Sequence, residues 1–423
     1  MMSILIIGIN LIFIGWVSFL IWKTDQQKIF WWALAFKLSC GISVGLLYRY
    51  YYPSGDTWTF FKESSIVLET LRNHPNQVFD FFWNDINPEK ISSIDTRPRS
   101  VYFLKWISII TIFTHNNYWI TSLYFSLFSF LGSWFFFKIL IQRFPNLNME
   151  AIVAILLMPS AVFWGSGIIK ESLAMGFLFL LSGIFLEWYY TRNFLLPKLL
   201  CVLLSGWVLW NLKYYWLAIW LAVVIPLVLI RVLENRFIFF QQYPKWSWMG
   251  LLVITLGGIS VFHPNFYFYR LFSVIEENYN AYLALSEPGD VIHFYNLKAT
   301  FLSILINSPW ALISGLFRPF IFEIGNALQA AVAVENLVLL ILLGITIYRF
   351  REWARKMSLL PLAVLFYIIF LSVFLALSTP NFGTLARFKI GFTPFLWFLL
   401  LSLSGVFKRF KKISRNQQSA LKL

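Results

Sequence analysis

Apolar runs recur along almost the whole chain, and many reach the roughly 20 residues that a bilayer crossing requires. Eleven of them predict transmembrane helices, at 3–22, 29–48, 118–138, 150–168, 171–190, 198–212, 214–230, 247–263, 332–348, 357–377 and 388–407. Two further apolar stretches, 101–115 and 300–325, are short or interrupted by Pro309 and by Arg318-Pro319. They read as segments that dip into the membrane or lie along it. Over 57–72 the apolar residues Phe60, Phe61, Val67, Leu68 and Leu71 fall at rough helical spacing, which predicts an amphipathic helix at a membrane surface. The expected fold is therefore all-α, a single polytopic domain over 1–423 with about 11 crossings (range 10–13).

Composition agrees. Charged residues make up 13% of the 423-residue chain, against about 25% in a soluble domain. The formal charge of +15 would suggest nucleic acid in a soluble protein, but here the charges sit in short loops and report orientation instead. With eleven crossings the N-terminus lies outside and the C-terminus inside. The inside loops, including the basic tail at 408–423, then hold 19 of the 34 Lys and Arg against 5 of the 19 acids, a strong positive-inside bias. Two long loops, 49–117 and 264–331, fall outside. No inside loop can house a nucleotide-binding domain, and neither GxxxxGK[ST] nor GxGxxG occurs. A pump driven by its own ATPase is excluded. The first run lacks a basic n-region and a small-residue cleavage site, so it reads as a retained helix. Cys40 and Cys201 are too few for a disulfide framework or a zinc site.

The polar residues within this apolar background carry the candidate chemistry. Tyr50-Tyr51-Tyr52-Pro53-Ser54-Gly55-Asp56-Thr57-Trp58 puts Asp56 at the start of the amphipathic helix. The plain structural reading is an N-cap; the functional one is a general base toward an acceptor hydroxyl at the membrane surface. Pro159, Gly165 and Gly167 loosen the end of one run, and Lys170-Glu171 opens the next. That pattern reads either as an outer hairpin turn with a self-neutralising pair, or as a phosphate site made by Lys170 and freed backbone N–H groups. Lys213 lies in a second turn, where most lysines are simply solvated. Arg318 precedes Glu323 in the dipping stretch, and Arg387 and Lys389 stand at the outer end of the last run. Snorkelling accounts for arginines in such places, yet outer basic residues run against the orientation bias, and a specific anion explains them too. Lys170, Arg318 and Arg387 are the phosphate-contact candidates, with Glu171 and Glu323 in support. Asp80, Asp85 and Asp95 read as solvated loop acids. His74, His115, His263 and His293 lack metal-ligand spacing, so no metal ligand is assigned and dependence on a divalent metal stays open.

This pattern resembles the bacterial membrane glycosyltransferases that use polyprenyl-phosphate sugars, the GT-C superfamily. The likeness rests on Ser-Gly-Asp-Thr-Trp-Thr-Phe-Phe around Asp56, on Arg97-Pro98-Arg99-Ser100 opening a short apolar helix, on the His115-Asn116-Asn117-Tyr118 break before a long run, and on Met158-Pro159-Ser160. It covers roughly residues 50–230. It departs from the family where Thr57, not a second acid, follows Asp56, and where an additional run precedes the loop. Phe163–Ser172, Leu316–Glu323 and Asn381–Lys389 are similar to membrane proteins of bacterial surface-polysaccharide loci. The resemblance implies a multi-pass protein of the bacterial inner membrane. It would move a sugar from a polyprenyl-phosphate carrier to an outer-face glycan or lipid acceptor, with no soluble cofactor and no nucleic-acid partner. Asp56 would act as base, and Lys170, Arg318 and Arg387 would hold the carrier phosphate. A polymerase of lipid-linked oligosaccharides and a non-catalytic transporter or flippase of lipid-linked glycans are the alternatives.

Overall fold

A computed structural model describes residues 2–52, 55–83, 97–193, 195–262, 267–354 and 357–407. Asp85, Asp95, His263 and the basic tail at 408–423 lie outside the described residues. In chain order the helices are α1 (Met2–Trp22), α2 (Ile29–Tyr50), α3 (Asp56–Asn73), α4 (Gln77–Trp83), α5 (Pro98–Thr114), α6 (Tyr118–Arg143), α7 (Asn148–Ala151), α8 (Pro159–Trp164), α9 (Lys170–Thr191) and α10 (Leu196–Leu233). There follow α11 (Ile238–Gln242), α12 (Pro244–Phe262), α13 (Phe268–Leu285), α14 (Phe301–Phe317), α15 (Ala327–Tyr348), α16 (Phe350–Ala354), α17 (Leu359–Ser378), α18 (Phe382–Phe388) and α19 (Thr393–Ser404). Among the described residues the only β-type pairing is an isolated bridge between Val291 and Asn381.

Among the described residues seven helices are long and apolar enough to cross a membrane, or eight if the bent pair Phe382–Gly391 and Thr393–Ser404 is one span. The expected count of about eleven is thus not supported, and the reasons are local. Residues 198–212 and 214–230 are both helical, but they follow each other with no loop over Leu196–Leu233, the two arms of α10. Only Lys213, with its non-helical φ −143° and ψ 61°, separates them, and so they add one long element to the count. The run at 150–168 is divided: a π-helical stretch over Ile152–Leu157 ends before Pro159 opens α8. Proline lacks an N–H and clashes with the preceding turn. Pro226 and Pro309 are nevertheless carried inside α10 and α14, whereas before Pro159 the chain turns extended at Met158 (φ −62°, ψ 115°) and the helix starts afresh. The last run bends by 68°. The stretches at 101–115 and 300–325 supply α5 and α14, each 17 residues long and short of a full span.

The chain forms two compact units. Unit 1 is Met1–Ile139, Leu156–Trp188 and Arg192–Tyr214; unit 2 is Leu140–Ile155, Tyr189–Thr191 and Tyr215–Leu423.

In unit 1 the long helices meet where side chains are smallest. A Cβ on Gly132 of α6 would lie 2.1 Å from the Gly176 carbonyl oxygen of α9, and one on Gly183 would lie 2.7 Å from the Phe135 ring. The matched order of those contacts makes α6 and α9 run parallel. Against α2, α6 runs antiparallel: Gly41 abuts Ser126, while Phe30 stands edge-on to Trp134. The segment Gly165–Ile169 that joins α8 to α9 is buried throughout. Gly167, at φ +75°, donates its N–H to Ser126 Oγ at 3.0 Å. Ser126 lies eight residues into α6, about 12 Å along it. The expected outer hairpin turn is therefore a break sunk among the helices. The helix expected over 57–72 is α3, whose buried side packs on α5 through Phe60 against Phe103 and Ser64 against Thr111.

Unit 2 is built on α14, α15, α17 and α19. A Cβ on Gly315 of α14 would lie 2.5 Å from the Ser372 carbonyl oxygen of α17, so these two helices touch backbone to backbone. Asn381 caps α18 by accepting from the Thr384 N–H at 3.0 Å and donates to Ser286 Oγ at 3.0 Å. One side chain thus fixes both the entry of α18 and the segment after α13.

Candidate functional site

Asp56 is not the N-cap of α3. Gly55 holds that position with φ −83° and ψ 163°, and Asp56 is the first helical residue. Gly55 fits because a Cβ there would lie 2.2 Å from the Tyr48 ring. One residue inside the helix, the Asp56 carboxylate lies in the positive first turn, which favours it by a few tenths to about 1 kcal/mol. Its side chain is exposed.

One turn along the same face stands Phe60. Residues i and i+4 of a helix are neighbours, and the Lys170 ammonium sits 4.9 Å from the centre of the Phe60 ring. Lys170 also donates to Ser100 Oγ at 2.7 Å. Unit 1 thereby brings Lys170 to the face of α3 that Asp56 opens. Proline at the first position of α5 sets that helix's start, and so places Ser100, two residues on, beneath Lys170.

Glu171 does not pair with Lys170. Adjacent helical residues point about 100° apart, and Glu171 turns into the core, where its side chain is fully buried. Its oxygen lies 2.5 Å from Lys213 Nζ, itself 5% exposed. Lys213 is thus a buried ion-pair partner and not a solvated turn residue. The next residue, Tyr214, lies under the Arg99 guanidinium at 4.4 Å. The N–H groups around the α8–α9 break are largely engaged: Gly165 bonds Ala161 O, Ser166 bonds Phe163 O, Gly167 bonds Ser126 Oγ and Ile169 bonds Gly167 O. A phosphate at this place would rely on the lysine side chain more than on backbone donors.

In unit 2, Arg318 faces Glu323 with both arms of its fork, Nε donating to Oε2 at 3.0 Å and a second contact joining the terminal nitrogen to Oε1. Glu323 Oε2 also accepts the Phe320 N–H at 2.8 Å. The guanidinium lies 4.9 Å from the Phe382 ring centre and 5.6 Å from that of Trp310. Phe382 opens α18 and Arg387 lies in its last turn, half-buried, 6.0 Å from the Phe388 ring. Unit 2 therefore sets Arg318 and Arg387 at opposite ends of one short helix.

The buried ionisable residues that were not among the site residues expected from the sequence include Lys389, Lys37 and Glu63. Lys389, 2% exposed, donates to Asn336 Oδ1 at 2.8 Å, and Asn336 donates to Pro319 O at 3.0 Å. Lys37 lies in the middle of α2 at 4% exposure, and Glu63 lies on the buried side of α3 at 2%, both its oxygens without a hydrogen bond. For the two lysines the signal was available as a charge inside an apolar run; for Glu63 it was the spacing of three from Phe60 and seven from Asp56. The two acids are seven residues apart, about 10 Å along the helix axis, too far to share one cation. Among the described residues no three His, Cys, Asp or Glu side chains converge as metal ligands. Compared with known protein families, curated proteins and solved structures, the chain matches none.

Proposed function

We propose that this protein is a membrane glycosyltransferase that takes its sugar from a polyprenyl-phosphate carrier. The supporting observation is the placing of opposite charges one turn apart along α3: exposed Asp56 opens the helix, and Lys170 lies over the ring of Phe60, four residues on. In this reading Asp56 accepts the proton of the acceptor hydroxyl as that oxygen bonds the anomeric carbon. The bond from that carbon to the phosphate oxygen breaks, and the carrier phosphate leaves against the Lys170 ammonium. Within unit 2, Arg318 and Arg387 are the proposed contacts for a lipid phosphate, with Glu323 holding Arg318 in orientation. This reading puts the α3 face on the non-cytoplasmic side of a bacterial inner membrane.

The test is transfer of label from a polyprenyl-phosphate sugar to an acceptor, with release of free carrier, by purified protein. Asp56→Asn removes the base but leaves Gly55 as cap, so fold and carrier binding should persist while turnover falls roughly a hundredfold or more. A fully active Asp56→Asn protein would remove Asp56 from the mechanism. One observation favours a second reading, transport of a lipid-linked glycan. The last span is broken, with buried Lys389 and Asn336 at the break, as substrate sites of transporters are. Movement of labelled glycan-lipid across proteoliposomes without chemical change would favour it.

A further inference from the structure

Lys37 lies eight residues into the 22-residue α2, about 12 Å from one end and 20 Å from the other. It does not snorkel. Its side chain is 4% exposed, and among the described residues its ammonium makes neither a hydrogen bond nor an ion pair. The titratable group beside it is the Cys40 thiol, one turn along the same helix. A bare ammonium inside an apolar span is costly and marks function by default.

Three elements of unit 1 converge on it. A Cβ on Gly165, at the α8–α9 break, would lie 2.8 Å from Lys37 Nζ and 2.6 Å from Met175 Sδ of α9. The meeting of Gly41 with Ser126 puts Lys37 level with residues 129–130 of α6, and the meeting of Gly132 with Gly176 puts Met175 level with residue 131. Ser129 turns between the α2 side of α6 and its α9 side, into the same wedge. Its hydroxyl is fully buried and unbonded. That is unlike Ser126 and Ser133 on the same helix, which donate to the carbonyls of Ser122 and Ser129. Trp134 Nε1, just over one turn further, is also buried without a partner.

Each of these unsatisfied groups can donate a hydrogen bond, and lysine and tryptophan can only donate. What the wedge lacks is a negatively charged acceptor. The space is short as well. On one side α2 and α6 touch at Gly41, where a Cβ would lie 2.1 Å from Ser126 Oγ; on the other the rings of Phe30, Phe130 and Trp134 close it. Close contacts on both sides argue against a phosphate ester with its lipid and for a small inorganic anion as the occupant.

We propose that unit 1 holds a halide-sized inorganic anion between α2, α6 and the α8–α9 break, with Lys37 as its charged ligand and Ser129 as a hydroxyl donor. The site is separate from Asp56 and Lys170 and does not depend on the transferase reading. The experiment is thermal unfolding of the purified full chain with sodium chloride replaced stepwise by sodium gluconate at constant ionic strength. Chloride should raise the wild-type midpoint saturably. Lys37→Met should be insensitive to the exchange, and Ser129→Ala should need more chloride for the same rise. Equal wild-type midpoints in the two salts, or an undiminished chloride response in Lys37→Met, would overturn the proposal. Should Lys37→Met fail to fold, wild-type crystals soaked in bromide decide. An anomalous peak within hydrogen-bonding distance of Lys37 Nζ supports the site; a water there, or no peak, overturns it.

Discussion

The buried pair of Glu171 and Lys213 makes a forecast that the sequence alone would reverse. Read locally, Lys170 is the natural partner of Glu171, so removing Lys170 should strand the acid. The structure pairs Glu171 with Lys213 at 2.5 Å, with side-chain exposures of 0% and 5%. Removing one member of such a pair leaves an uncompensated buried charge, at a cost of about 3–5 kcal/mol. Lys213→Met should therefore lower stability by that amount. Lys170→Met gives up a charge-assisted bond to Ser100 and a ring contact from a half-buried position, while its methylenes are replaced by an apolar chain. About 1–2 kcal/mol is expected there. The double variant Glu171→Leu with Lys213→Met should recover most of the loss, since an apolar pair can replace a buried ion pair at little cost. Reversible unfolding in SDS–detergent mixed micelles of the wild type, Lys170→Met, Lys213→Met, Glu171→Leu and the double variant gives the coupling directly. A Lys213→Met protein no less stable than Lys170→Met, or a double variant as unstable as the sum of its singles, would refute the pairing.

Two further outcomes are expected. Gly132→Ala brings a methyl within 2.1 Å of the Gly176 carbonyl oxygen and should cost about 1–3 kcal/mol through overpacking. Gly206→Ala, which meets nothing within 4 Å, should be neutral or stabilising in the same unfolding assay. For orientation, single cysteines at the exposed positions Asn76 and Asn296, in a background lacking Cys40 and Cys201, should react with an impermeant reagent in intact cells while one at Asn193 should not. Protection of the first two would move Asp56 to the other face and remove the outer-face reaction.

Local pattern made much of the fold legible. The apolar runs behind α1, α2, α6, α9, α15 and α17 are long, uninterrupted and found where expected, because helix length is a property of a contiguous stretch. What failed depends on how stretches are joined. Lys213 separates two apolar runs whether the chain reverses there or only kinks, and its composition is the same in both cases. Pro159 announces a break but not its depth; that depth is set by Gly41 and Ser126, far away in the chain. The candidate site divides in the same way. Asp56 could be placed at a helix start from residues 50–58, yet Lys170 is 114 residues on, and its place over Phe60 depends on the bond to Ser100 of α5, a contact between distant stretches. Glu63 was missed although its spacing from Phe60 and Asp56 puts it on the same side of α3 as the apolar stripe, because the stripe was read from its five apolar residues alone.

The lysines share a setting that bears on how much each can say about function. A break in a membrane helix frees carbonyl groups that no water reaches, so each must find a donor within the protein. Beside the bend between α18 and α19, Gly391 O accepts from Tyr367 at 3.0 Å, and Lys389 O accepts from Thr393 at 2.6 Å. Lys389 itself is held by Asn336, and Lys213, at the kink of α10, is held by Glu171. A lysine at a break can thus be a structural donor with an acceptor supplied by the fold, and for Lys213 and Lys389 burial by itself does not call for a ligand. It does not cover Lys37, which abuts the α8–α9 break but among the described residues finds no acceptor. Burial and position are alike in the three; the missing partner sets one apart. The proposal of a bound anion therefore rests on the difference between Lys37 and its two counterparts, not on the presence of a charge in the membrane.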